Sequence, residues 1–293
     1  MRFSLAESMG DPNHYGSVAQ AAEAAGFSSM VVPDSLCYPE ESESQYPYTP
    51  DGDRKFLEGK PFIEPFVLIP SLAAQTQKIR FDTFVLKLPV REPVWVAKQA
   101  MSIAVLSQNR LGLGVGLSPW PEDFEVTGTS WKTRGARCDE MIEIIRGLST
   151  GDYFAYEGKQ YRFPSIQMTP APTRPIPILV GGHAEKALRR AARLGDGWMH
   201  AGGDRGALKD MIERLQALRR EYGRHQEDFE IHAISLDPDA LKTSSSDGIS
   251  QLEEIGVTNT IVSFHNPYAK KPRTIEQKVD EIREYGEKVI RLS

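Results

Sequence analysis

The stretch Pro175-Ile-Pro-Ile-Leu-Val-Gly-Gly-His-Ala-Glu-Lys-Ala-Leu-Arg-Arg-Ala-Ala-Arg-Leu-Gly-Asp-Gly-Trp198 carries a short apolar strand into two glycines and straight on into an amphipathic helix. Gly181 and Gly182 have no side chains, so an anion can lie against their backbone amides. The free N–H groups of the next helix point at the same spot. A tight strand-to-helix turn also wants glycine on steric grounds alone. His183 stands where an N-cap is expected, Ala187, Leu188, Ala191 and Leu194 recur at helical spacing, and Gly195 ends the helix.

The same alternation extends in both directions. Strands are expected near Phe3–Leu5, Ser29–Pro33, Ile79–Leu86, Leu111–Leu117, Ile176–Val180, Trp198–His200, Phe229–Ser235 and Thr260–Phe264. Helices are expected after Asp11-Pro12, from Glu64-Pro65 to Ala74, from Pro93, over Thr133–Leu148, Asp204–Tyr222 and Ile249–Ile255, and after a Thr274/Gln277 capping box. Eight strand–helix units in 293 residues indicate one (β/α)8 TIM barrel over residues 1–293, with no second domain marked. Tyr153–Pro175 is surplus to that plan, and Tyr156-Glu-Gly-Lys-Gln-Tyr161 reads as a hairpin inserted before the fifth strand. A long loop follows the second strand.

A chain 40% hydrophobic and 26% charged can bury a large core. Its net charge of -5 offers no polycationic stretch for nucleic acid and no basic amphipathic helix for a membrane. The partner expected is therefore a small-molecule substrate. Met1-Arg-Phe-Ser-Leu5 opens directly as a strand, so neither a signal peptide nor a transmembrane helix is expected. Cys37 and Cys138 are too few and too far apart for a disulfide scaffold or a zinc cage. Both are read as reduced, which fits a cytoplasmic location, and no metal is expected.

In a TIM barrel the chemistry sits at the carboxyl ends of the strands. Those ends carry Glu7 and Ser8, Asp34 and Ser35, Lys87, Trp120 and Glu122, Gly181–His183, His200–Gly203, and His265-Asn266. The loop from Cys37 to Pro61, with Tyr46, Tyr48 and Phe56, is long enough to cover a ligand. Each residue has a plainer role open to it: Asp34 could cap a loop, Lys87 could pair with a carboxylate, and Trp120 could be core.

Five ordered runs carry a family resemblance: Phe81-Asp-Thr-Phe-Val-Leu-Lys-Leu-Pro89, Pro93-Val-Trp-Val-Ala-Lys-Gln-Ala100, Asn109-Arg-Leu-Gly-Leu-Gly-Val-Gly116, Arg134-Gly-Ala-Arg-Cys-Asp-Glu140 and Pro177-Ile-Leu-Val-Gly-Gly182. Together they resemble the luciferase-like monooxygenase superfamily, and most of all its coenzyme F420-dependent oxidoreductase branch. Tyr46-Pro-Tyr-Thr-Pro-Asp-Gly52 is similar to a subset of that branch. The resemblance implies a deazaflavin ring in the barrel mouth, backed by a non-prolyl cis peptide at Phe84-Val85. It implies that Asp34 faces the ring edge, and that the cofactor's phosphate lies on Gly181, Gly182 and His183 with help from Gly202 and Gly203. A homodimer is expected because family members are often dimers.

Two departures bear on the substrate. Sugar-phosphate dehydrogenases of the branch follow the Asp with a proton-accepting His, where this chain has Ser35, and place a Glu where it reads Leu117-Ser-Pro-Trp120. Glucose 6-phosphate dehydrogenation is therefore not carried over. The expected activity is hydride transfer between coenzyme F420 and a small organic molecule, with Asp34, Lys87, His200 and His265 as catalytic candidates. The alternatives are an FMN-dependent monooxygenase of the same superfamily and a flavin-binding barrel without turnover.

Overall fold

The structure, a computed structural model, describes residues 1–46, 51–203, 205–234, 246–264 and 272–292. In chain order its elements are β1 (Arg2–Ala6), α1 (Tyr15–Ala25), β2 (Ser29–Val32), α2 (Pro65–Ala74), β3 (Arg80–Thr83), β4 (Leu86–Lys87), α3 (Pro93–Leu106), β5 (Leu111–Gly116), α4 (Pro121–Val126) and α5 (Arg134–Leu148). They continue with β6 (Phe154–Glu157), β7 (Arg162–Ile166), β8 (Ile178–Gly181), α6 (Glu185–Leu194), β9 (Gly197–His200), α7 (Arg205–Glu221), β10 (Glu230–Ile234), α8 (Ser246–Glu254), β11 (Asn259–Ser263) and α9 (Ile275–Lys288).

The sheet runs β3-β2-β1-β11-β10-β9-β8-β5-β4, and pairing of β3 with β5 closes it. All of these pairings are parallel, with Ser4 opposite Ser29 and Ile261, and Phe81 opposite Leu111. With β3 and β4 sharing one position, this is a closed eight-strand TIM barrel. The chain's own punctuation sets the element ends. Asp11 accepts a hydrogen bond from the Asn13 amide just ahead of α1, and Gly26 closes that helix at φ 94°. Glu64 caps α2 ahead of Pro65, and Thr274 with Gln277 forms the capping box expected for α9.

β6 and β7 pair antiparallel as the hairpin expected before the fifth barrel strand. One expectation is corrected and one element is new. Ile79–Leu86 is not one continuous strand, because the Phe84-Val85 peptide is cis and divides β3 from β4. α4 was not expected at all, because six residues are too few to show a helical period. Among the described residues no helix is long and apolar enough to cross a membrane.

β5 explains how the barrel interior is filled. Leu111, Leu113 and Val115 face the outer core, while Gly112, Gly114 and Gly116 alternate inward. A Cβ on Gly112 would strike Asp82, one on Gly114 the Thr83 carbonyl and Met199, and one on Gly116 Val85. Interior volume surrendered by one strand is thus taken up by its neighbours. Below that layer the filling is ionic. Arg80 spans Asp82 and both oxygens of Glu230, and His232 bonds Glu230 at 2.7 Å. Burial opposes ionisation of Glu230, but bonds from His232 and Arg80 outweigh it and hold the carboxyl far below its usual range.

Candidate active site

A cavity of about 420 Å³ opens at the carboxyl ends of the barrel strands. Its floor includes Val85, Met199 and Ile234, and its rim carries Glu7, Asp34, Lys87, Trp120, Gly181 and Gly182. Val85 stands in a slot that two glycines leave open: a Cβ on Gly116 would come within 2.7 Å of its side chain, and one on Gly181 within 2.9 Å. Gly181 is therefore required for packing as well as for a bare amide. The cis Phe84-Val85 bond that the family resemblance implied is present, and both residues line the cavity.

The glycine cradle lies beside this floor. Gly182, Gly202 and Gly203 have φ of 116°, 111° and 127°, a region that glycine alone enters freely. Trp198 Nε1 donates to the Gly182 carbonyl at 2.8 Å, which fixes the turn between β8 and α6. The N-cap of α6 is Ala184, not His183 as expected; Ala184 makes no side-chain cap, so the first-turn amides are not used by one. His183 turns instead toward β9. Its Nε2 accepts from the Ala201 amide at 3.1 Å, and its ring stacks on His200 at 4.5 Å between centroids.

Burial drives both imidazoles toward the neutral form, and for His200 the neighbouring His183 adds to it, bringing its pKa down to about 4. The Gly202 amide donates to His200 Nδ1 at 3.3 Å, so in the neutral ring the proton sits on Nε2. That Nε2 is buried and has no hydrogen-bond partner among the described residues. It lies under Gly203, 3.8 Å from where a Cβ there would be. Four glycines, three of them at positive φ, two helix starts and an orphaned buried donor fit the phosphate of a flavin-type cofactor. His200 is placed to stiffen this cradle from below.

A pH effect on stability follows. The unfolded His200 takes up a proton near its ordinary 6.5, while the folded ring resists until about 4, so stability falls as pH drops through that window. His200→Gln lacks this penalty. Chemical denaturation is expected to show wild type losing its advantage over the variant between pH 7 and pH 4; a constant gap would mean that His200 takes up its proton as readily in the fold as in the unfolded chain.

Asp34 lines the cavity, with its carboxylate held from behind. It accepts from the Lys87 amide at 2.9 Å and from Arg91 at 3.0 and 3.1 Å, and Arg91 also reaches Glu64. It thereby ties the end of β2 to β4. Lys87 Nζ sits 2.7 Å from Asp123 Oδ2, with both side chains almost wholly buried. Asp123 also takes a hydrogen bond from Ser118 and a long contact from the Cys37 thiol at 3.8 Å. Glu7 forms a second buried ion pair, 2.6 Å from Lys278 on α9.

The loop after β2 closes one side. Tyr46 stacks on Trp120 at 5.8 Å and meets Phe56 edge-on at 5.3 Å, and all three line the cavity. Tyr48 and His265 lie outside the described residues. Ser42 and Ser44 bind Glu122, which anchors the loop to α4. Both cysteines are free: Cys37 is exposed and Cys138 buried, its thiol pushed up to about 12 by burial.

Sequence reasoning missed Arg91, Asp123, Lys278 and Met199. Arg91 and Asp123 follow the third and fourth strands closely enough to have been included in the mouth. Lys278 carried no such signal, being a single lysine on a surface helix 271 positions from its partner.

Comparison with known proteins places this geometry in context. A family model described as Luciferase-like monooxygenase matches residues 3–236. The uncharacterized protein Rv0940c of Mycobacterium tuberculosis is 56% identical over 292 residues, 99% of each chain. F420-dependent glucose-6-phosphate dehydrogenase of Gordonia bronchialis is 27% identical, over 78% of this chain and 66% of its own. Among solved structures, monooxygenase RslO1 from Streptomyces bottropensis superposes with a TM-score of 0.76 at 18% identity, covering 100% of this chain and 99% of its own. The coenzyme F420 dependent tetrahydromethanopterin reductase of Methanopyrus kandleri follows at 0.74 and 14% identity, covering 99% of each. At such identities the likeness is one of fold.

Proposed function

The chain belongs to the luciferase-like monooxygenase family, and from that premise we propose that it is an oxidoreductase moving a hydride between coenzyme F420 and a small organic substrate. The observation that carries the proposal is the pairing of an apolar Val85 floor with the cradle of Gly181, Gly182, Gly202 and Gly203 at one barrel mouth. A ring system would rest on the first and a phosphate in the second. The choice of F420 over FMN is supported by sequence relatives named as F420-dependent dehydrogenases at 27% and 29% identity.

When bound, the deazaflavin supplies the hydride-carrying carbon. The protein's part is orientation, exclusion of water and management of the proton that travels with the hydride. Lys87 is the best placed of the candidates for that proton: the residue lines the cavity and its Nζ is held by Asp123. In the reductive direction a hydride arrives at the substrate carbon and the Lys87 ammonium gives up the proton that completes the reduced group. Asp34 positions β4 through the Lys87 amide, and His200 and His183 support the cradle. His265 follows the eighth barrel strand and is kept as a second proton candidate.

Ser35 stands where a sugar-phosphate dehydrogenase of this branch has its base, so the substrate proposed is not glucose 6-phosphate. The family also carries a homodimer as a proposal, supported by Val67 on α2 and Trp95 on α3, which stand largely in water. The test of the cofactor choice is anaerobic reduction of the loaded protein followed by admission of oxygen. An F420 carrier is expected to consume little oxygen without substrate. Rapid, stoichiometric uptake would move the protein to the FMN monooxygenase class.

A further inference from the structure

A second, smaller chamber adjoins the main cavity under the loop after β2. It encloses about 130 Å³ and shares Ser35, Leu57, Phe62 and Trp120 with the main cavity, so the two are adjacent. Among the described residues its lining contains two cations, Arg54 and Lys60, and no carboxylate. The loop is otherwise acidic, with Glu40, Glu41, Glu43, Asp51, Asp53 and Glu58, yet none of these lines the chamber.

The two cations differ in how they are held. Arg54 is 8% exposed, and its guanidinium lies 5.2 Å from the ring centroids of both Tyr38 and Trp120. Its nearest carboxylate, Glu122, stays 3.9 Å away and is bound by Ser42 and Ser44. Lys60 has no ion-pair partner among the described residues, whereas Glu7, Asp34 and Lys87 of the main cavity are all paired. Among the described residues the chamber therefore carries one unpaired cation, Lys60, beside a guanidinium set between two rings and apolar walls from Leu57 and Phe62.

We infer that this chamber is a subsite for the carboxylate of the substrate, so that the molecule turned over at the mouth is an organic acid with a planar apolar frame. A charge-assisted contact with Lys60 and Arg54 would hold the acid, and the frame would lie along Leu57 and Phe62 toward Val85. Identifying the bound acid as the substrate rests on the oxidoreductase proposal; the chamber's preference for a carboxylate does not.

The test uses benzoate and benzamide, which share a shape and differ in charge. Each is titrated into the cofactor-loaded protein and followed by tryptophan fluorescence. Benzoate is expected to bind at least about tenfold more tightly than benzamide, the order expected of one charge-assisted contact. Lys60→Met is expected to erase that preference and Lys60→Arg to keep it. Equal affinities, or a preference that survives Lys60→Met, would overturn the inference. A parallel titration with F420 and with its ring fragment lacking the glutamate tail separates the other acid available. If Lys60→Met weakens only the tailed cofactor and spares benzoate, the chamber belongs to the cofactor and the inference fails. If no deazaflavin binds but the benzoate preference stands, the failure lies with the cofactor proposal alone.

Discussion

Gly182→Val is expected to weaken cofactor binding by at least about a hundredfold while the barrel stays folded. Gly182 sits at φ 116°, and a Cβ there would approach the Ala187 Cβ to 3.0 Å. Backbone strain of this kind costs about 1–3 kcal/mol, which a domain stable by about 5–15 kcal/mol survives with a lower melting temperature. The larger loss is in the cradle. Each charge-assisted amide contact to a phosphate contributes about 1.5–3 kcal/mol, and displacing two of them exceeds a hundredfold in affinity. Gly59→Val is the matching control, since Gly59 also has positive φ but open space around it. It should lower the melting temperature and leave affinity unchanged. Undiminished affinity in a folded Gly182→Val protein would remove the cradle from the account.

The second large effect belongs to the Lys87–Asp123 pair. Breaking a buried ion pair from one side leaves an uncompensated charge, at a cost of about 3–5 kcal/mol, whereas replacing both members is often close to neutral. Lys87→Met is therefore expected to destabilise the protein by about that amount in chemical denaturation, and Lys87→Met with Asp123→Asn to recover most of it. Activity should part company with stability. Loss of a positioned proton donor typically costs about 10²–10⁴ in rate, so the double variant should remain folded yet transfer hydride at least about a hundredfold more slowly. A double variant that regains both would reduce Lys87 to a packing role.

The fold was legible because glycine and proline punctuate this chain where its elements end. Gly26 and Pro65 fall where expected, and the alternating glycines of Leu111–Gly116 mark a barrel strand. Two local errors have local causes. Ile79–Leu86 reads as one β-rich run because propensity does not register a cis peptide at Phe84-Val85. His183 looks like a cap because it precedes a helix, yet the helix starts two residues later and the imidazole is used by Ala201.

The site was legible as a ring of strand ends and illegible as a network. Position alone brought Asp34, Lys87, Trp120 and Gly182 to one cavity. What each side chain does there depends on partners that sequence spacing cannot supply: Arg91 for Asp34, Asp123 for Lys87, and Lys278 for Glu7. These pairs span different elements and follow no period. The emptiness of Gly116 and Gly181 was equally silent, because a glycine's reason lies in the residue that fills its space.

The central claim is that the barrel mouth is built for a phosphate-bearing deazaflavin. The measurement that tests it most directly is a side-by-side binding titration of the purified protein with F420, with FMN, and with the deazaflavin ring fragment that lacks phosphate. Saturable binding of F420, weaker binding of FMN, and at least about a tenfold loss for the fragment without phosphate are the expected results. Tighter binding of FMN than of F420, or equal binding with and without the phosphate, would contradict it.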